Sequence, residues 1–157
     1  MTKPMPERMD EAQYAALRLD NQLCFPLYAA SREVIRQYRP HLDQLDLTYT
    51  QYITMMVLWE EREMNVKQLG QRLYLDSGTL TPLLKSLESK GYICRHRSSE
   101  DERVVLVSLT EAGAALQDQA LSVPEAMQGC VRLSPEEAVT LYRLLYKLLG
   151  KEPEQVN

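Results

Sequence analysis

Cysteine is scarce in this chain: three in 157 residues, at Cys24, Cys94 and Cys130, widely separated and never in a C-x-x-C pair. An odd, dispersed set argues against a disulfide scaffold and against a zinc site, so no metal is expected. Long apolar runs are also missing, and no stretch is long enough to cross a bilayer, so a membrane is not an expected partner. The opening stretch "MTKPMPERMDEAQ" lacks the apolar core of a secretory signal, which makes a cytoplasmic location the expectation. There is no basic surplus, since the net charge is −4 and the pI about 5.3. DNA binding is not thereby excluded, because what counts is charge on one face. Internal repeats and low-complexity segments are absent, and nothing calls for a cofactor.

The composition, 45% hydrophobic and 25% charged, suits a single domain over 1–157 with its own core. Helical periodicity is the dominant signal. Leu19, Leu23, Leu27, Ala30 and Val34 recur at steps of three and four, predicting a helix over 17–38 with Pro26 near its start or at a kink. Pro40 and an aspartate-rich stretch predict a break, after which Thr48 or Thr50 can cap "QYITMMVLWEERE". Tyr52, Met55, Met56 and Trp59 on that helix read as core. Two short helices follow, the first carrying Val66, Leu69 and Leu73. "LDSGT" separates them, with Asp76 and Ser77 as capping candidates. Pro82 is tolerable only in a first turn, so the second helix should begin near Gly78 or Thr79 and end at Gly91.

The period then changes. "YICRHR" and "VVLVSL", joined by the polar "SSEDER", predict a β-hairpin with a charged tip. A helix restarts at Thr110 and should break at Pro124. Ser134, Pro135 and Glu137 open a last helix that Gly150 stops. The fold class is therefore mainly α with a small β-hairpin wing, in the order helix, turn, helix, hairpin of a winged helix-turn-helix. Residues 62–110 carry that unit; 17–60 and 111–150 are expected to supply mainly dimerisation helices and a sensor. Leu116–Val123 and Pro135–Leu149 are the expected C-terminal partners in dimerisation, because "LYRLLYKLL" presents more apolar face than one chain needs.

In a winged helix-turn-helix the second helix enters a major groove and the hairpin reaches an adjacent minor groove. Ser77, Thr79 and Thr81 supply short hydrogen-bonding groups there, with Asp76 just before them. Lys85 and Lys90 lie further along, and the hairpin adds Arg95, His96, Arg97 and Arg103. A locally basic face thus exists in an acidic chain, and double-stranded operator DNA is the expected partner. The run "LGQRLYLDSGTLTPLLKSLESKGYICRHRSSEDERVVLVSLTEAG" resembles the winged-helix core of the MarR (multiple antibiotic resistance regulator) family, whose wing signature is Asp101-x-Arg103, an apolar strand, and Leu109-Thr110-x-x-Gly113. The resemblance implies a minor-groove role for Arg103, with Asp101 holding it or the wing backbone in place.

"LDNQLCFPLYAASREV" and "QYRPHLDQLDLTYTQY" resemble, more closely, the organic hydroperoxide resistance regulators of that family. Taken together the resemblances span about residues 17–150. They imply a homodimeric repressor in which Cys24 senses an organic hydroperoxide, Tyr38 and Tyr49 reach it across the dimer interface, and Tyr28 matches a third family tyrosine. The chemistry is reasonable by itself: a thiolate attacks peroxide oxygen, and phenolic hydroxyls favour the thiolate. Cys130 corresponds to the resolving cysteine of the two-cysteine subgroup, while the one-cysteine subgroup uses small thiols. Cys94, in the first wing strand, reads as structural. Two other readings stay open at this level: a thiol peroxidase, disfavoured by the lack of alternating strands and helices, and a related regulator of a phenolic ligand in which Cys24 is incidental.

Overall fold

The computed structural model describes residues 14–151. The frayed segment expected over 1–16 lies largely outside them. Two short 3-10 turns, Ala15–Leu17 and Leu19–Asn21, precede helix α1, Cys24–Asp43. The helix therefore starts seven residues later than the periodicity predicts, and Pro26 falls in its first turn, where amide hydrogens lack partners anyway. It also runs through Pro40 rather than stopping there. Proline forfeits one backbone bond to the carbonyl four residues back. That carbonyl belongs to Arg36, whose side chain is exposed, while Leu42, just beyond, is 1% exposed and anchors the helix end in the core.

Thr48 then caps α2, Tyr49–Glu61, in a reciprocal capping box with Gln51. Tyr52, Met55 and Trp59 are buried as expected, but Met56 is exposed. A three-residue strand, β1 (Glu63–Asn65), was not legible: it is too short to show alternation. Asn65 caps α3, Val66–Leu73, and Tyr74 closes it in the left-handed region at φ 55°. Asp76 caps α4, Ser77–Ser89, slightly earlier than predicted, and Gly91 ends it at φ 78°. Strands β2 (Ile93–Arg97) and β3 (Val105–Leu109) form the hairpin, and the sheet order is β1-β3-β2, all antiparallel.

Helix α5, Glu111–Ala120, is capped by Thr110. Pro124 opens rather than breaks helical structure, because it sits in the first turn of α6, Ser122–Met127. The core gathers Leu42, Leu58, Leu69, Leu84, Leu87, Ile93, Val107 and Val123, each at most 2% exposed. Leu116 and Val123 face this core, so their helices serve their own chain at those positions. Helix α7, Pro135–Leu148, opens with a second capping box between Ser134 and Glu137, has no buried residue, and leaves Val139, Leu141, Leu144 and Leu148 exposed. No described helix is long and apolar enough to cross a membrane.

Candidate functional site

The first region is built by α3, α4 and the hairpin. Leu80, Leu83, Leu84 and Leu87 pin one face of α4 to the core, which turns Ser77, Thr79, Thr81 and Lys85 outward. The Asp76 carboxylate accepts from the Thr79 backbone N–H at 2.8 Å, and this bond holds its pKa below the usual range. Asp76 is thus the cap that fixes where the helix begins. Arg103 stands at the hairpin tip with 91% of its side chain exposed. Its Nε donates to Asp101 Oδ1 at 3.1 Å and its backbone N–H donates to the same oxygen at 3.0 Å. The Asp101 carboxyl is held below its ordinary pKa by those contacts, and the turn that presents Arg103 is fixed by them.

The other hairpin arginines are used differently. Arg95 is half-buried and donates to Glu88 Oε2 through Nη2 at 2.6 Å, tying β2 to the end of α4. Arg97 donates to the Glu102 carbonyl at 2.6 Å and closes the tip. His96 lies 3.4 Å from Glu63 across the sheet. Lys90 turns back into the fold, toward Asp46 and Gln51. An open groove of about 910 Å³ runs between α4 and the wing, lined among others by Lys67, Tyr74, Ser77, Thr81, Arg95 and Arg103. Among the described residues no group of His, Cys, Asp and Glu could hold a metal.

The second region holds the thiols and phenols. Cys24 is the first residue of α1 and is exposed. Tyr28, one turn on, accepts from Arg32 Nη1 at 2.6 Å, with the guanidinium 5.5 Å from its ring centre. Tyr38 packs against Tyr49 at 5.1 Å between ring centres and against Tyr52 at 6.1 Å. Cys130, half-buried just after α6, packs on the same part of the core, its Sγ 3.7 Å from the Ala126 carbonyl. Burial raises the Tyr38, Tyr49 and Tyr52 pKa values, and the neighbouring Cys130 raises Tyr38 further. These phenols stay protonated and remain donors. Cys24 and Tyr38 are separated by fourteen residues of one helix, about 21 Å at 1.5 Å per residue. Within one chain, then, Cys24 meets neither Tyr38 nor the Cys130 beside it.

Residues 36–120 match the family of the transcriptional regulator SarA/Rot. The organic hydroperoxide resistance transcriptional regulator of Bacillus subtilis (strain 168) is 50% identical over 139 residues, 88% of this chain and 95% of that protein. The chain belongs to the MarR-type transcriptional regulators, in their organic hydroperoxide resistance branch. Two solved members of this regulator fold bear on the reading head. Reduced AbfR bound to DNA is 35% identical, with a TM-score of 0.72 over 90% of this chain and 98% of that one. A mutant MarR from E. coli in complex with operator DNA is 30% identical, with a TM-score of 0.75 over 81% and 93%.

Two participants in this regulator's sites escape sequence reasoning. Glu88 captures Arg95, and a lone glutamate near a helix end gives no hint of that. Tyr52 completes a three-phenol cluster; its helical spacing marks it as core but not as a neighbour of Tyr38.

Proposed function

We propose that this chain is a peroxide-responsive transcriptional repressor: the reduced homodimer binds double-stranded operator DNA in the cytoplasm, and oxidation of Cys24 by an organic hydroperoxide releases it. Residues 62–110 read the DNA, while 17–60 and 111–150 mainly dimerise and sense. On each head Ser77, Thr79, Thr81 and Lys85 face the major groove and Arg103 the minor groove, with Asp76, Asp101, Arg95 and Arg97 fixing the helix start and the wing. Dimeric heads must sit about 34–36 Å apart to enter successive grooves, so a small rotation alters affinity.

The carrying observation is the roughly 21 Å between Cys24 and the Tyr38–Cys130 cluster on one chain. An exposed thiol at one end of a helix and a phenol–thiol cluster near the other form a site only when two chains exchange them. The apolar residues left exposed at both surfaces, Leu23, Phe25 and Leu27 on one side and Leu141, Leu144 and Leu148 on the other, supply the area for that pairing. Tyr38 and Tyr49 of one subunit then donate to the Cys24 thiolate of the other, and Tyr28 borders the site. The thiolate attacks the peroxide oxygen, the O–O bond breaks, and the alcohol leaves with a proton. The resulting sulfenic acid condenses with the Cys130 thiol of the partner subunit, giving a disulfide and water. No turnover is required, so the chain acts as a sensor and not as an enzyme.

The test is operator binding with and without cumene hydroperoxide, on a duplex selected from a random library, for wild type and Cys24→Ser. Wild type should lose affinity on oxidation and Cys24→Ser should not. Release of both proteins alike would assign the response to something other than Cys24.

A further inference from the structure

Gln51 is polar yet only 6% exposed, and both the oxygen and the nitrogen of its amide are engaged. Its Oε1 accepts from the Thr48 backbone N–H at 3.1 Å and from Lys90 Nζ at 3.2 Å. Its Nε2 donates to Ser86 Oγ at 2.9 Å. Lys90 Nζ also donates to the Asp46 carbonyl and lies 3.3 Å from Asp46 Oδ2. Asp46 is held at φ 53°, a left-handed conformation uncommon outside glycine, asparagine and aspartate. The cluster thus joins three segments: the α1–α2 connection through Asp46, the first turn of α2 through Thr48 and Gln51, and the last turn of α4 through Ser86 and Lys90.

Both sensing elements end on this cluster. Leu42 at the end of α1 accepts the backbone N–H groups of Leu45 and Leu47, which bracket Asp46, and all three leucines are buried. A displacement of α1 therefore carries Asp46 with it. Tyr49 is the first residue of α2, between the two members of the capping box. The far side of the cluster is the helix that carries Ser77, Thr79 and Thr81. These bonds are part-buried around a buried Gln51, and leaving its amide half-paired is costly, so the cluster passes a displacement on as a unit.

We infer that Gln51 is a positioning residue, the centre of a polar latch through which the state of α1 and Tyr49 sets the orientation of α4. The inference rests on the redox-sensing function proposed above. Gln51→Met keeps the side-chain length and removes the amide. Ser86→Ala, at a half-buried position, removes one partner with little risk to folding. Gln51→Glu retains an acceptor for Lys90 and a partner for the Ser86 hydroxyl.

Thiol titration with cumene hydroperoxide and operator affinity are measured for both redox states of each folded dimer. Gln51→Met and Ser86→Ala should oxidise at the wild-type rate and bind DNA, when reduced, within about threefold of wild type. Their ratio of reduced to oxidised affinity should fall by about tenfold, within the usual range of allosteric couplings. Gln51→Glu should restore most of the ratio. An unchanged ratio in both variants overturns the latch, as does an equal weakening of both redox states, which marks a staple that only holds the fold together. Loss of redox response in the wild type itself would remove the proposed function and the latch with it, and is read from the wild-type arm alone.

Discussion

Replacing Gly113 by alanine is a sharp test of how the wing is joined to the rest of the chain. A Cβ built there falls 2.0 Å from the Tyr92 carbonyl oxygen and 2.9 Å from its carbon. Ordinary contact begins near 3.4 Å, so α5 and the segment entering β2 must part by more than an ångström. Three hydrogen bonds cross or border that junction: Thr110 N–H to the Tyr92 carbonyl at 3.1 Å, the Thr110 hydroxyl to the Gly91 carbonyl at 2.6 Å, and the buried Trp59 indole N–H to the Gly113 carbonyl at 2.8 Å. Overpacking against backbone costs about 1–3 kcal/mol, and weakening a buried bond adds about 1 kcal/mol or more, giving roughly 3 kcal/mol in total. For a chain of this size each kcal/mol moves Tm by about 2–4 °C, so a fall of about 6–12 °C is expected. Thermal melts should compare Gly113→Ala with Gly129→Ala at one protein concentration, since dimerisation contributes to Tm. Gly129 has open space at its Cβ position and should melt with the wild type. A Gly113→Ala protein within about 2 °C of wild type would refute the claim that this junction is sterically closed.

Further outcomes follow from the same geometry. Arg103→Ala should weaken operator binding and reduce the slope of log affinity against log salt by about one, measured by titration at several ionic strengths; an unchanged slope would take Arg103 out of the interface. Tyr38→Phe keeps the ring and removes a donor to the reacting sulfur, and a hydrogen bond to a charged partner is worth about 1.5–3 kcal/mol; the Cys24 rate with cumene hydroperoxide at neutral pH should fall about tenfold or more, and an unchanged rate would take the Tyr38 hydroxyl out of the activation. Cys130→Ser should abolish the peroxide-induced covalent dimer on a non-reducing gel while Cys24 is still oxidised; a dimer lost instead in Cys94→Ser would reassign the resolving thiol. Tyr38, Tyr49 and Tyr52 hold their protons above the free phenol value, so their contribution is intact below pH of about 10 and stability should decline as pH rises beyond it; Tyr52→Phe should flatten that decline in alkaline denaturation.

The local signals that proved legible share a physical basis: they are decided within a few residues. Thr110 and Ser134 cap where the spacing predicts, and Thr48 and Asp76 are each one of the two candidates named at their helix starts, because a cap needs only the next three residues. The order helix, turn, helix, hairpin follows from these stops and from the change of period at Ile93. The errors fall where distant packing outweighs local preference. Pro40 reads as a break, but burial of Leu42 carries α1 past it. Strand β1 exists because β3 offers it an edge, a fact no three-residue window contains. The same holds for the candidate sites. The exposed face of α4 and the turn at Asp101–Arg103 are legible because they are contiguous, whereas Arg95 carries the same charge and is committed to Glu88. Helical spacing alone places Cys24 and Tyr38 far apart. It gives no hint that Tyr38, Tyr49, Tyr52 and Cys130, drawn from three segments, pack together.

The length of α1 also makes a genetic statement. If each sensing pocket borrows its thiol from one subunit and its phenols from the other, a defect in either part belongs to the pair and not to the chain. Cells expressing one copy with Cys24→Ser and a second copy with Tyr38→Phe would assemble mixed dimers. One pocket in each would collect both lesions and the other would be entirely wild type. Mixed dimers purified from such cells would then release operator DNA on oxidation where both parent homodimers respond poorly, and a dimer carrying the same two substitutions on each chain would not.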